Sequence, residues 1–256
     1  MTSIWELMKT TIFQILTFLI WAIPLNAQET VSRSFLTEPR FNFFKKTILI
    51  YNEYLNTNDG SYITTNLRIL YPLGNKALNF RFDLPIISTN SPDFTGQTGL
   101  GDIDLSIAYI PQMNEKTGIA FRGKINIPTA TENAFGTGKW VFISTAFLGH
   151  YWDTQKQWFS ITSLEQQFSF AGKKTRTPVN TTIFENDIYY SFQKNWVGTT
   201  AIIRYNFELQ GWQNSIAVEY GRKLTPSFNV YIHPSIAFGS RKYYNNGFEV
   251  GFFLIF

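Results

Sequence analysis

Charged side chains recur at alternate positions along the sequence, the spacing that places residues on one face of a β-strand. Four such pairs are Arg81 and Asp83, Asp102 and Asp104, Arg122 and Lys124, and Glu185 and Asp187. Apolar residues alternate with several of these pairs, so the segments predict strands with one charged and one apolar face. The charged faces of such strands can bind or conduct small solutes, or they can pair with one another as ion pairs. Buried charges are stable only when they are paired or hydrated.

A second combination that could take part in chemistry is His233 and Ser235, an imidazole and a hydroxyl two residues apart. A serine nucleophile needs a neighbouring base and an orienting acid, and Glu219 or Glu249 on adjacent predicted strands could supply the acid. The spacing is similar to that of outer-membrane lipid A deacylases, so a deacylase-like or phospholipase-like lipid hydrolase is an alternative function. Apolar residues fill the face that alternates with His233, however, so its imidazole should point away from lipid. We therefore predict no catalytic residues and no enzyme activity.

These residues lie on strand-like runs that show a period of two and no helical periodicity. Leu78, Phe80 and Phe82, for example, share one face of a segment whose other face is polar. Strands that are apolar on one side and polar on the other predict an all-β fold, a transmembrane up-and-down antiparallel β-barrel of about 12 strands. The predicted runs are 44–56, 61–72, 76–87, 100–111, 117–128, 139–151, 157–170, 182–193, 196–207, 212–223, 228–239 and 247–256.

The predicted connections alternate between short and long. Short turns on one side and long loops on the other are typical of outer-membrane barrels, with the turns and both termini in the periplasm. The short connections are 73–76, 112–116, 153–156, 194–195 and 224–227, and the long ones are 88–99, 129–138 and 171–181. Aromatic residues at the periplasmic strand ends predict an interfacial girdle. They are Tyr71, Tyr109, Tyr151, Trp158, Trp196, Tyr220 and Phe256.

Patterns at both ends of the chain predict export and assembly into an outer membrane. The apolar run from Thr11 to Ile23 predicts a cleaved signal peptide over 1–27, with a retained anchor helix as the alternative, a periplasmic leader over 28–43 and the barrel over 44–256. Phe256 ends an alternating strand similar to those that bacterial outer-membrane barrels present to the barrel-assembly machinery. We therefore expect a Gram-negative outer-membrane location, with outer-membrane lipid and lipopolysaccharide as partners.

Composition excludes several other functions. The chain has no cysteine, which excludes disulfide bonds and cysteine-based sites. Its net charge is only +4 and no basic cluster is interleaved with aromatics, so no nucleic-acid partner is expected. The sequence shows no phosphate loop, nucleotide fingerprint or metal-ligand spacing, so we predict no cofactor and no metal site.

A glycine-rich motif carries a family resemblance. Its residues are Gly99, Gly101, Asp102 and Leu105 at a strand start, Pro128 and Thr129, and Phe135 to Gly138. This segment resembles the outer-membrane β-barrel transporter family named for the meta-pathway of phenol degradation, although Ala130 stands where that family has glycine. The resemblance implies passage of small, often hydrophobic or aromatic solutes, and it brings no catalytic residues.

If the apolar faces meet lipid, the charged faces line the lumen. Twelve strands would leave either a narrow water-filled pore or an interior closed by ion pairs. We predict a porin-like channel or transporter for small solutes, with a structural barrel closed by salt bridges as an alternative. The residues predicted to line the lumen, as part of a pore or of an ion-pair network, are Arg68, Arg81, Asp83, Asp102, Asp104, Arg122, Lys124, Glu165, Glu185, Asp187, Arg204, Glu219, His233 and Glu249.

Overall fold

The computed structural model describes residues 45–74, 78–90 and 97–256. The predicted signal peptide and periplasmic leader lie outside these residues, as do parts of the connections predicted at 73–76 and 88–99. Within the described residues, no helix has the length and apolar character needed to cross a membrane.

Fourteen strand segments form a closed antiparallel β-barrel of twelve strands, as predicted. Each strand pairs with its neighbour in sequence, and the ring closes where β1 pairs with β14. The segments are β1 (Thr47–Thr57), β2 (Gly60–Leu73), β3 (Leu78–Thr89), β4 (Gln97–Leu100), β5 (Ile103–Met113), β6 (Thr117–Ile127), β7 (Lys139–Tyr151), β8 (Trp158–Gly172), β9 (Asn180–Phe192), β10 (Asn195–Asn206), β11 (Gly211–Trp212), β12 (Asn214–Lys223), β13 (Phe228–Phe238) and β14 (Asn246–Ile255).

Two of the twelve barrel strands are interrupted, where the sequence predicted continuous runs at 100–111 and 212–223. One break, between β4 and β5, falls at Gly101 and Asp102. There the Ile103 N–H donates to the Thr129 hydroxyl at 2.9 Å instead of to a ladder carbonyl. The other break falls at Gln213, between β11 and β12. Side-chain and loop contacts, which periodicity cannot reveal, thus replace part of the ladder.

Side chains along the barrel strands alternate between the outer surface and the interior. In β14, Val250 is exposed on the outer surface, whereas Gly251 and Phe253 are buried inside. Ile107, in the middle of β5, is 52% exposed. An outer surface made of exposed apolar side chains is the surface that a lipid-facing barrel presents.

The two ends of the barrel differ. Thr47 pairs with Ile255, so both barrel termini lie at one end, which we call the terminal end. The turns after β2, β5, β7, β9 and β12 lie at this end and are short. The opposite end, the loop end, carries the connections 128–138, 173–179 and 239–245, although the turn between β1 and β2 there is also short. A 3-10 turn, Asn133–Phe135, lies in the first of these loops.

Candidate functional site in the barrel lumen

A cavity of about 340 Å³ lies inside the barrel, and we call it the charged chamber. Its walls are the inward faces of strands around the ring, and Tyr243 and Tyr244 from the loop end also line it. Ten of the fourteen predicted lumen residues line this chamber: Arg68, Arg81, Arg122, Lys124, Glu165, Glu185, Asp187, Arg204, His233 and Glu249. The other four, Asp83, Asp102, Asp104 and Glu219, hold neighbouring groups in place and do not face the cavity.

One wall of the chamber is fixed by a carboxylate between two guanidinium groups. Asp83 on β3 accepts from the Arg68 Nε at 2.5 Å and from the Arg81 Nε at 2.5 Å. The Asp83 side chain is 3% exposed, whereas the two arginines reach the cavity. Charge-assisted bonds of this kind are stronger than neutral ones, so the two arginines are held rigidly against the wall.

The same wall continues through two more ion pairs. Arg122 donates to Glu165 at 3.0 Å, and Glu165 also accepts from the Thr145 hydroxyl at 2.9 Å. Lys124 pairs with Asp104 at 3.1 Å. Since β2, β3, β5, β6, β7 and β8 are consecutive in the ring, these contacts form one belt, which we call the paired wall.

The opposite wall is built differently. On β9, the Asp187 carboxylate accepts a hydrogen bond from the Thr200 hydroxyl of β10. Glu185, also on β9, and Arg204, on β10, both line the chamber, and neither forms an ion pair with any residue that the structure describes. The guanidinium of Arg204 lies 5.0 Å from the centre of the Tyr243 ring.

The loop 239–245 places Tyr243 over this wall. The backbone N–H of Asn245 donates to the Asn56 carbonyl at 2.7 Å, which anchors the loop to the start of the β1–β2 turn. Loss of hydration raises the pKa of Tyr243, while the positive charge of Arg204 acts against that rise. The phenol is therefore protonated at neutral pH and offers a hydroxyl donor beside the cavity.

His233 and Ser235 both face the chamber, as the alternation of their strand predicted. Their neighbours Ile232 and Ile236 are 42% and 58% exposed on the outer surface. His233 lies opposite Glu249 in the β13–β14 register, and the Tyr231 hydroxyl donates to Glu249 at 2.5 Å. This arrangement turns the His and Ser side chains away from the surface where a lipid ester would lie. Among the described residues, no cluster of three or more His, Asp and Glu side chains could hold a metal ion.

The terminal half of the lumen contains a buried apolar cluster, which the sequence analysis missed. Inward side chains from strands around most of the ring pack into a buried cluster, which we call the apolar floor. Its residues are Leu49, Ala120, Phe147, Tyr151, Phe159, Ile161, Tyr189, Trp196, Tyr231, Phe253 and Ile255. Phe147 also lines the charged chamber, so the floor lies directly against it.

The floor corrects the prediction of an aromatic girdle at two positions. Tyr151 and Trp196 are each only 1% exposed and belong to the floor, not to the outer surface. Trp158 and Tyr220 are exposed outside at 47% and 43%, in keeping with an interfacial position. Tyr109 is half-buried.

Glycines on neighbouring strands make room for the floor aromatics. A Cβ added to Gly221 would lie 1.9 Å from the Trp196 ring, and one added to Gly251 would lie 2.6 Å from Tyr231. Both glycines are the register partners of these rings. Glu219, predicted to line the lumen, instead accepts from the Trp196 indole N–H at 2.6 Å and is 1% exposed. An unpartnered indole N–H would be costly in this cluster, so Glu219 is a structural partner of the floor.

Asp102, also predicted to line the lumen, fixes a loop instead. Its carboxylate accepts from the backbone N–H of Ala130 at 3.1 Å and from that of Thr137 at 2.7 Å. Arg176, from the loop 173–179, holds the same segment by donating to the carbonyls of Asn133 and Gly136. The glycine-rich motif therefore holds the loop 128–138 in place. We call the contacts of Asp102 with Ala130 and Thr137 the latch.

Comparisons with known proteins place the fold among outer-membrane barrels. No family model and no curated protein matches the sequence. The COG4313 outer-membrane channel from Pseudomonas putida F1 has a TM-score of 0.69 at 12% identity, covering 89% of this chain and all of that one. The NanC porin has a TM-score of 0.62 at 10% identity, covering 81% of this chain and 98% of that one. The KdgM porin has a TM-score of 0.59 at 11% identity, covering 82% of this chain and 99% of that one.

At such low identity the likeness shows a common fold. The relation to the phenol-degradation family stays a prediction from its motif.

Proposed function

We propose that this chain is an outer-membrane channel for small polar solutes, which enter the charged chamber from the loop end. The observation that carries the proposal is the chamber itself, a polar cavity of about 340 Å³ within a closed barrel whose outer surface is apolar. The fold that it shares with channels and porins supports the same role. Outer-membrane lipid and lipopolysaccharide would surround the barrel, and the strand ending at Phe256 would engage the assembly machinery.

The lining favours polar solutes over the hydrophobic or aromatic ones implied by the family resemblance. Ten charged side chains, besides the histidine, face the cavity, and an apolar solute entering it would strip water from them without replacing their hydrogen bonds. A polar solute can replace those hydrogen bonds.

Passage through the barrel requires the apolar floor to move. Floor residues are at most 9% exposed, so their side chains fill the terminal half of the lumen in this conformation. We infer a channel whose closed state is the one observed, with the floor as its gate.

Liposome swelling tests the proposal with a neutral probe. Proteoliposomes in isotonic L-arabinose should swell faster than protein-free liposomes, whereas the larger sugar stachyose should cause no extra swelling. The variant Trp196→Ala, which thins the floor, should increase the arabinose rate further. If neither wild type nor variant admits arabinose, the channel proposal fails.

The packing of the floor also favours a second candidate, a structural barrel that conducts nothing. This candidate predicts that the wild-type protein admits no arabinose while Trp196→Ala does. The lipid hydrolase is less well supported, because His233 and Ser235 face the chamber.

A further inference from the structure

The ionisable residues of the charged chamber fall into two groups. On the paired wall, each cation has a carboxylate partner within 3.1 Å. On the opposite wall, Glu185 and Arg204 have no such partner among the described residues, although both face the cavity. Charges without partners beside a cavity are candidates for binding a ligand of matching charge.

The guanidinium of Arg204 lines the cavity and forms no ion pair with the described residues. Its Nε is buried and has no hydrogen-bond partner there, so the terminal N–H groups are the ones that a solute in the cavity can reach. The guanidinium is braced by Tyr243, since it lies over that ring. A planar guanidinium held in this way matches the two oxygens of a carboxylate, which it can bind with two parallel hydrogen bonds.

Glu185 lies close to Arg204 in the sheet but does not pair with it. In the β9–β10 register, Arg204 is opposite Ile183 and Glu185 is opposite Ile202, so the two charged residues are diagonal neighbours on one face. Diagonal neighbours in a sheet are about 7–8 Å apart, within the combined reach of Arg and Glu side chains. Both face the cavity and they form no ion pair with each other, so a small molecule in the cavity can contact both.

The side chains that line the chamber carry equal numbers of positive and negative charges, and the carboxylates of Asp83 and Asp104 lie behind them. Five basic and five acidic side chains line it, counting His233 as neutral: Arg68, Arg81, Arg122, Lys124 and Arg204 against Glu53, Glu165, Glu185, Asp187 and Glu249. A solute that carries both charges can satisfy the two unpaired groups together.

We propose that Arg204 and Glu185 form a binding subsite for small zwitterions that carry a carboxylate and an ammonium group. The carboxylate binds Arg204, and the ammonium binds Glu185, with the protonated Tyr243 hydroxyl as a further donor beside the carboxylate. The proposal rests on the channel function proposed above and specifies the solute class that its chamber selects.

Calorimetry on the purified full-length protein in detergent tests the subsite with three probes of nearly equal size. These are γ-aminobutyrate, which carries both charges, butyrate, which carries only the carboxylate, and butylammonium, which carries only the ammonium. Wild type should bind γ-aminobutyrate at least about tenfold more tightly than either singly charged probe. Equal affinity for all three probes, no measurable binding of γ-aminobutyrate, or preference for a singly charged probe would overturn the proposal.

Neutralising variants identify the groups responsible. Arg204→Gln and Glu185→Gln should each weaken γ-aminobutyrate binding by about tenfold or more, and the double variant should bind no more tightly than either single variant. Arg222→Gln and Glu208→Gln remove the same charges from exposed positions and should leave binding unchanged. A subsite variant that binds like wild type would contradict the assignment. Retention of β-sheet circular dichroism shows that a weakened variant is folded.

The binding test is separate from the swelling test with arabinose. A channel that admits arabinose but shows no preference for γ-aminobutyrate would keep the proposed function and lose this subsite. A barrel that binds γ-aminobutyrate through Arg204 and Glu185 but admits no solute would keep the subsite and lose the channel function.

Discussion

The carboxylate of Asp102 accepts two hydrogen bonds from Thr137, one from the backbone N–H at 2.7 Å and one from the hydroxyl at 3.0 Å. The two residues belong to separate parts of the glycine-rich motif. Gly136 packs against the Asp102 carboxylate, since a Cβ at that position would lie 2.3 Å from it. The motif therefore specifies how a loop packs on the barrel wall.

The latch predicts a local effect of Asp102→Ala. Without the carboxylate, the N–H groups of Ala130 and Thr137 lose their acceptor, which costs roughly 1–3 kcal/mol. Hydrogen exchange in the loop 128–138 should accelerate on the order of 10- to 100-fold, while exchange in the barrel strands should not change. Asp59→Ala, in the exposed β1–β2 turn, is the control. Unchanged exchange in the loop would show that Asp102 does not order it.

The ion pairs of the chamber predict unequal losses of stability. Asp83→Asn leaves Arg68 and Arg81 without their shared carboxylate and should cost roughly 3–5 kcal/mol. Asp104→Asn is the control, because its side chain is 20% exposed and water can compensate, so it should cost about 1 kcal/mol or less. Urea unfolding in detergent measures both free energies of unfolding. Equal losses would contradict the structural role given to Asp83.

The packing of the floor predicts that adding one methyl group lowers stability at one glycine, Gly221, and not at another, Gly123. In Gly221→Ala the new Cβ would overlap the Trp196 ring, so the indole must move and its hydrogen bond to Glu219 weakens. Overpacking of this kind costs about 1–3 kcal/mol. In Gly123→Ala the nearest atom is 3.7 Å away on Phe142, so stability should be unchanged or slightly raised. Thermal unfolding compares them, and similar midpoints for the two variants would argue against the packing described here.

The apolar outer surface predicts a depth-dependent cost for an added charge. Ile107→Lys places an ammonium on the outside of the mid-strand, where it should cost about 2–4 kcal/mol in a bilayer. Leu209→Lys changes an apolar residue of comparable exposure at the loop end and should cost at most about 1 kcal/mol. Folding into lipid vesicles gives both free energies. A similar cost at both sites would contradict a membrane-spanning outer face.

Period-two patterning was sufficient to predict the barrel. In β3, for example, it assigned Asp83 to the inside and Phe82 to the outside, and each lies where it was assigned. The register of one strand against the next is not contained in such a pattern. Sequence therefore did not show that Asp83 lies between Arg68 and Arg81, or that Arg204 and Glu185 are left without partners.

The floor was missed for a different physical reason. Near the terminal end both faces of a strand are apolar, as in the run Phe252-Phe253-Leu254-Ile255, so alternation there carries no information about the lumen. The signal was present in the glycines, since Gly221 and Gly251 lie on inward positions opposite Trp196 and Tyr231. A glycine inside a strand often marks the close approach of another group, and here that group is an aromatic ring.

Single-channel recording in planar bilayers tests most directly whether the floor closes the chamber. The account predicts that wild type spends most of its time closed, with brief openings, and that Trp196→Ala and Phe253→Ala raise the open fraction or the conductance several-fold. Neutral changes on the outer surface, such as Ile107→Val, should leave the recording unchanged. A wild-type pore that is steadily open and indifferent to both floor variants would contradict the account.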